Sequence, residues 1–136
     1  MEIKINHLQH IGLPVTDLKV SEAFYKKLGF MNATSSEFDH NGKKGKMMMM
    51  QLKAIVMELY QLPEADLEEI RSRKDGHIDH FTFDVSDIDQ TYSAVQEASF
   101  HILEEQPVFL PFWENGCKYF NILGPDGERL EFNQIL

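Results

Sequence analysis

His7-Leu8-Gln9-His10-Ile11-Gly12-Leu13-Pro14-Val15-Thr16-Asp17-Leu18 and His77-Ile78-Asp79-His80-Phe81-Thr82-Phe83-Asp84-Val85-Ser86-Asp87-Ile88 decide how this chain is read. They align without a gap at a spacing of 70 residues: His on His twice, Val15 on Val85, Asp17 on Asp87 and Leu18 on Ile88. Each reads as a strand running into a helix capped by its Asp, whose carboxylate accepts from the unpartnered N–H groups of the first turn. A second pair closes the halves, Met57-Glu58-Leu59-Tyr60-Gln61 and Leu130-Glu131-Phe132-Asn133-Gln134. The chain is therefore an internal duplication.

Working outward, Val20, Ala23, Phe24 and Leu28 fall at helical spacing, and Gly29 stops the helix. Phe30 to Phe38 reads as a strand, and His40-Asn41-Gly42-Lys43-Lys44-Gly45 as a polar turn. Met47 to Leu52 and Ala54 to Gln61 are strands across a tight turn near Lys53, with the four methionines as packing residues. Pro63 to Asp75 reads as a charged, exposed linker with a short helix ended by Gly76. In the second half His77–Val85 is a strand, and Ile88, Tyr92 and Val95 mark a helix. Phe100–Glu104 is a strand and Val108–Gly116 a loop. Lys118–Leu123 and Arg129–Ile135 are strands joined by the turn Gly124-Pro125-Asp126-Gly127.

The expected architecture is α+β: a βαβββ module at 1–62, a linker at 63–76 and a second module at 77–136. Neither half-sheet buries both faces alone, so the two are expected to form one curved mixed sheet.

Composition narrows the function classes. The 136 residues suffice for one domain or two small packed modules. A formal charge of −9 argues against nucleic acid or an anionic membrane as partner. The lone Cys117 fits a reducing compartment, and the sequence carries neither a spanning apolar stretch nor a secretion-type leader, so the expected location is cytoplasmic.

Side chains two apart on a strand share a face. Each half thus presents one His from its first strand, His10 or His80, and one Glu from its last, Glu58 or Glu131. Two imidazoles and two carboxylates suit one divalent ion (Ni, Zn, Co, Mn or Fe) with positions left for water or substrate. His7 and His77 lie on the opposite strand face and are expected to be partly buried structural residues. His40 and His101 have no counterpart. Tyr60, Phe112 and Trp113 are candidate substrate contacts, with Phe109 and Tyr119 as further apolar wall, because a loop gains little by carrying a Trp unless something covers it.

The run His10-Ile11-Gly12, Val15-x-Asp17-Leu18, Ala23-Phe24-Tyr25 and Leu28-Gly29-Phe30 resembles the opening module of the vicinal oxygen chelate superfamily, the glyoxalase / bleomycin-resistance / dioxygenase group. His80-Phe81-Thr82-Phe83-x-Val85-x-Asp87-Ile88 resembles the start of its second module, and Gly124-Pro125-Asp126-Gly127 with Leu130-Glu131-Phe132 its closing strand. His10, Glu58, His80 and Glu131 match the ligand set of glyoxalase I. The resemblance implies a metal-dependent lyase or isomerase, similar to lactoylglutathione lyase. Its substrate would be a small α-oxo or α-hydroxy compound, and the proton would move through a metal-chelated enediolate by way of Glu131 or, alternatively, Glu58.

Pro14 stands where bacterial glyoxalase I has an Arg for glutathione, so the resemblance does not extend to the thiol. Methylmalonyl-CoA epimerases often have Gln at the Glu58 place and a Glu before the third strand, where this chain has Asn41, Lys43 and Lys44. Two alternatives stand beside the lyase. One is a non-catalytic small-molecule (drug) binding protein of the bleomycin-resistance type, and the other is an Fe(II) ring-cleaving dioxygenase. The superfamily further implies a homodimer, in which modules pair within one chain or across two.

Overall fold

Asn41 and Gly42, at φ 50° and 76°, form a two-residue hairpin turn, the left-handed pair that Asn-Gly adopts most readily. His40 and Lys43 already pair across it, so the expected six-residue turn is only two residues long. The hairpin belongs to a computed structural model that describes residues 1–27, 29–74, 76, 78–123 and 129–136. The Gly124–Gly127 turn, Leu28 and His77 lie outside the described residues.

The strands are β1 (His7–Pro14), β2 (Met31–His40), β3 (Lys43–Leu52), β4 (Ile55–Gln61), β5 (His80–Asp84), β6 (Val108–Leu110), β7 (Cys117–Leu123) and β8 (Arg129–Ile135). The helices are α1 (Leu18–Lys27), α2 (Leu67–Ser72) and α3 (Ile88–Glu97). By contact the chain divides into His10–Asp79 and a second unit of Met1–Gln9 with His80–Leu136, the boundary falling inside β1.

In the His10–Asp79 unit the strand order is β2-β3-β4-β1, with β1 parallel to β4 and the other pairs antiparallel. One face of this sheet packs Leu13, Met48, Met50, Met57 and Leu59 against Leu18, Tyr25 and Phe30. Met47 and Met49 are buried on the opposite face, opposite Tyr60 and Glu58. All four methionines are thus packing residues, and β3 is covered on both sides.

The α1 helix corrects its expected face. Val20 and Phe24 are 66% and 58% exposed, whereas Leu18 is buried and Tyr25 half-buried. Two stripes compete on this helix, and the inward one runs through Leu18 and Tyr25, which pack with Val15 and Phe30. The linker is also less solvated than expected: Leu67 and Ile70 are buried, and the helix ends at Ser72, before Gly76.

The other unit repeats the plan, in the order β5-β8-β7-β6 with β5 parallel to β8. Phe120 is fully buried, stacked on Phe132 at 5.1 Å and edge-on to Tyr92 at 5.0 Å, with Ile88, Val95, Val85 and Ile122 around it. The edge strand departs from expectation. Phe100–Glu104 contributes only a bridge, Ile102 to Ile122, and the paired strand is Val108–Leu110, expected as loop. Ile102 faces Ile122 and Val108 faces Tyr119, six residues on the edge against three on β7. The surplus turns Glu104 inward, where its carboxylate accepts from Asn121 N at 2.6 Å in place of a ladder carbonyl.

Both helix starts are held the same way. Val20 N donates to Asp17 Oδ1 at 3.1 Å, and Gln90 N to Asp87 Oδ1 at 2.9 Å. Leu18 N donates to Gln61 Oε1 at 2.8 Å, and Ile88 N to Gln134 Oε1 at 3.0 Å. The repeated Gln of each closing strand therefore satisfies an otherwise unpartnered helix N–H, a role that its place in the repeat alone did not disclose.

Candidate functional site

Register on the sheets decides what each His meets. In the His10–Asp79 unit Gly12 pairs with Glu58, and His10 precedes Gly12 by two, on the same face. His10 is 1% exposed, and its Nε2 lies 3.4 Å from Glu58 Oε2. In the other unit Thr82 pairs with Glu131, and His80, two residues earlier, shares that face. His80 is 7% exposed, with Nε2 3.7 Å from Glu131 Oε2. Each unit thus brings together the His and the Glu that repeat in its sequence.

The 3.4 Å between His10 and Glu58 matches shared ligation at a tetrahedral angle, and the 3.7 Å between His80 and Glu131 is wider than that. Donors each about 2.1 Å from one ion lie about 3.0 Å apart at a right angle and about 3.4 Å apart at a tetrahedral angle. A direct charged hydrogen bond would instead close to about 2.7–2.9 Å. The observed pairs sit at or beyond the ligation range, each with a ring nitrogen turned to a carboxylate oxygen.

Glu131 is the more elaborately held carboxylate. Its Oε1 accepts from Asn133 Nδ2 at 3.0 Å and from Thr82 Oγ1 at 3.4 Å. Burial pushes its carboxyl above the ordinary carboxylate range. His80, Asn133 and Thr82 oppose that shift, and Glu104 adds to it. Asn133 Oδ1 in turn accepts from Gln9 Nε2 at 3.2 Å, and Gln9 Nε2 also donates to Asp84 Oδ1 at 3.1 Å. Gln9, Thr82, Asp84 and Asn133 were not singled out by the sequence reading. They lie at strand positions that match the repeats, but Asp79, Gly12, Pro14 and Tyr60 occupy the corresponding places, so no repeated pattern marks them.

The remaining candidates are placed as follows. Tyr60 is half-buried and edge-on to Phe38 at 6.3 Å. Arg73 lies 3.8 Å from Asp79, and the Tyr60 phenol contributes to holding its guanidinium above the usual value behind the larger effect of Glu69. Phe112 is buried, while Phe109 is exposed with its ring over Gly116. Trp113 is half-buried at φ 67°, a backbone conformation unfavourable for a bulky residue. Its Nε1 and Asn121 Oδ1 are buried without a hydrogen-bond partner among the described residues. Glu104 fixes the Asn121 amide, because a carboxylate only accepts and so draws Nδ2 to itself at 2.7 Å, leaving Oδ1 on the side away from Glu104.

His7 is corrected: its side chain is 65% exposed, 3.8 Å from Asp84, because β1 only begins there. His40 lies 3.6 Å from Asp66 on the surface of its unit. Among the described residues, no helix is long and apolar enough to cross a membrane.

A methylmalonyl-CoA epimerase from Mycobacterium tuberculosis has a similar fold, with a TM-score of 0.77 at 19% identity over 97% of this chain and 89% of that one. A variant of 4-hydroxymandelate synthase from Streptomyces coelicolor matches at a TM-score of 0.73 and 12% identity, over 96% of this chain and 48% of that enzyme. In sequence, the uncharacterized protein YwbC of Bacillus subtilis (strain 168) is 28% identical over 137 residues, covering 93% of this chain and 96% of its own. The chain has the glyoxalase-like fold of two βαβββ modules. The model of the Glyoxalase/Bleomycin resistance protein/Dioxygenase superfamily matches residues 7–132. The chain belongs to that superfamily.

Proposed function

We propose that the chain is a divalent-metal enzyme of the glyoxalase I type, in which His10, Glu58, His80 and Glu131 ligate one ion (Ni, Zn, Co, Mn or Fe). Its substrate is a small α-oxo or α-hydroxy compound offering two adjacent oxygens, and a proton moves between neighbouring carbons. The observation that carries this reading is the repetition of one His–Glu pair in each unit, at 3.4 and 3.7 Å, with both imidazoles buried. When bound, the ion would act as a Lewis acid that acidifies the carbon next to the chelated oxygens. The chain's own residues then do the rest. Glu131 carries the proton, with Glu58 as the alternative. Trp113 Nε1–H donates to a substrate oxygen, Asn121 Oδ1 accepts from a substrate hydroxyl, and Phe112 and Tyr60 supply apolar wall. The enzyme acts as a homodimer in the cytoplasm, a reading supported by superfamily membership and by a single, buried cysteine, Cys117.

Two measurements test it. Elemental analysis after purification, and after incubation with each of the five metals, should find about one ion per site. A chain that retains none of them sinks the proposal. Proton exchange in D2O is then followed by NMR on hemithioacetals of several thiols, α-hydroxy acids and 2-acyl thioesters. Exchange that disappears in both Glu58→Gln and Glu131→Gln is expected. Ligand retention without turnover, unchanged in Glu131→Gln, would instead mark a sequestering protein, and stoichiometric oxygen uptake with Fe(II) a dioxygenase.

A further inference from the structure

Asp84, Gln9, Asn133 and Glu131 form a continuous chain of side-chain hydrogen bonds inside one unit. Its polarity is determined at one end. Asp84 is a carboxylate and accepts only, so the Gln9 amide must turn its Nε2 toward it, at 3.1 Å. The same Nε2 reaches Asn133 Oδ1 and Asn133 O, both at 3.2 Å, so the oxygen of the Asn133 amide faces Gln9. The Asn133 NH2 group is thereby left facing Glu131 Oε1 at 3.0 Å. Thr82 Oγ1, its register partner, lies 3.4 Å from the same oxygen. Both donors converge on Oε1, while Oε2 is the oxygen nearest His80 Nε2, at 3.7 Å.

From this geometry we infer that Asn133 is a positioning residue, oriented by Gln9 and Asp84. With Thr82 it holds Oε1 of Glu131 so that Oε2 alone is presented for metal ligation. This rests on the metal reading above and adds to it how the carboxylate is aimed. A carboxylate with both oxygens available can rotate or bind through two atoms, and one with Oε1 engaged by two donors is restricted to one. The arrangement is confined to one repeat. Opposite Glu58 stands Gly12, which has no side chain to donate, and the place of Asn133 is taken by Tyr60. Asp79 and Pro14 stand at the places of Gln9 and Asp84. The duplication kept the His and the Glu in both halves but built the amide chain in only one.

The test uses Co(II), whose visible spectrum reports ligand number and geometry, in the full-length protein with four variants: Asn133→Leu, Gln9→Met, Thr82→Val and Thr82→Ser. Cobalt affinity is measured by chelator competition, and the melting temperature of each metal-free variant is recorded alongside. Asn133→Leu should weaken binding by about 10–100-fold and alter the spectrum, since loss of a residue that orients a ligand typically has that cost. Gln9→Met should weaken binding by about 10-fold although it touches no ligand. Thr82→Val should weaken it several-fold, with Thr82→Ser returning it to the wild-type value. Should Asn133→Leu fail to fold, the Gln9 and Thr82 variants decide the matter on the same criteria. Folded variants that bind Co(II) within twofold of wild type, with an unchanged spectrum, overturn the positioning role while leaving the metal reading intact. Wild-type protein that takes up no cobalt overturns both.

Discussion

Replacing Glu131 by Gln should move the stability of the metal-free and metal-loaded protein in opposite directions. The residue is 8% exposed, and its carboxylate oxygens face Asn133, Thr82 and His80. Gln keeps the Oε1 acceptor for Asn133 and Thr82 and turns an N–H toward His80 Nε2, so the hydrogen bonds survive the exchange. What disappears is a buried charge. Burial disfavours that charge, as the raised carboxyl shows, so removing it should stabilise the metal-free chain at neutral pH by on the order of 1 kcal/mol. In a chain of this length that is a rise in Tm of about 3–5 °C.

The pH dependence follows from the raised carboxyl. Because the folded chain holds this proton more tightly than the unfolded one, the contribution of Glu131 to stability is complete below the unfolded value of about 4.5. It is lost as pH rises through the higher folded value. The gain in Glu131→Gln should therefore be near zero in acid and full at neutral pH. Calorimetry with chelator present, from pH 4 to 8, reads it directly. Adding metal at about 100 times its Kd should stabilise wild type by about 2.7 kcal/mol and the variant by far less. A metal-free variant less stable than wild type at pH 7, or a difference that does not change with pH, would show that the buried Glu131 charge is not a cost to the fold.

Phe120→Ala removes the ring at the centre of its core and should cost about 3–5 kcal/mol in chemical denaturation, because the stacked Phe132 and edge-on Tyr92 cannot both collapse into the space. Gly116→Ala combines φ +86° with a Cβ 2.9 Å from Leu110 O and in collision with the Phe109 ring, and should cost about 2–3 kcal/mol. Phe109→Ala should recover part of that loss, measurable as a double-mutant cycle.

Much of this molecule was legible because its signals are periodic. The recurrence of His10 with His80 and of Glu58 with Glu131 revealed the duplication, and strand parity separated those histidines from His7. The same parity sent Glu58 and Gln61, three apart, to opposite faces, one to the imidazole and one to the helix start. Periodicity failed where two patterns competed. On α1, Val20 and Phe24 form a stripe as apolar as the one through Leu18 and Tyr25, and only long-range packing with Phe30 and the sheet tells them apart. At the edge of the second sheet, Phe100–Glu104 has the stronger strand pattern, but Glu104 leaves the edge to bind Asn121, and pairing resumes at Val108. The amides of Gln9 and Asn133 carried no signal at all, since their meaning lies in a contact across 124 residues of chain.

The boundary inside β1 bears on how the chain can be divided. Gln9 belongs by contact with residues 80–136, and its counterpart Asp79 belongs with residues 10–79, so the sequence repeat and the packing unit are not the same piece of chain. A cut between the two repeats would leave residues 80–136 without Gln9, the donor to both Asp84 and Asn133. A fragment meant to fold by itself has to follow the packing unit and carry that leading segment with it.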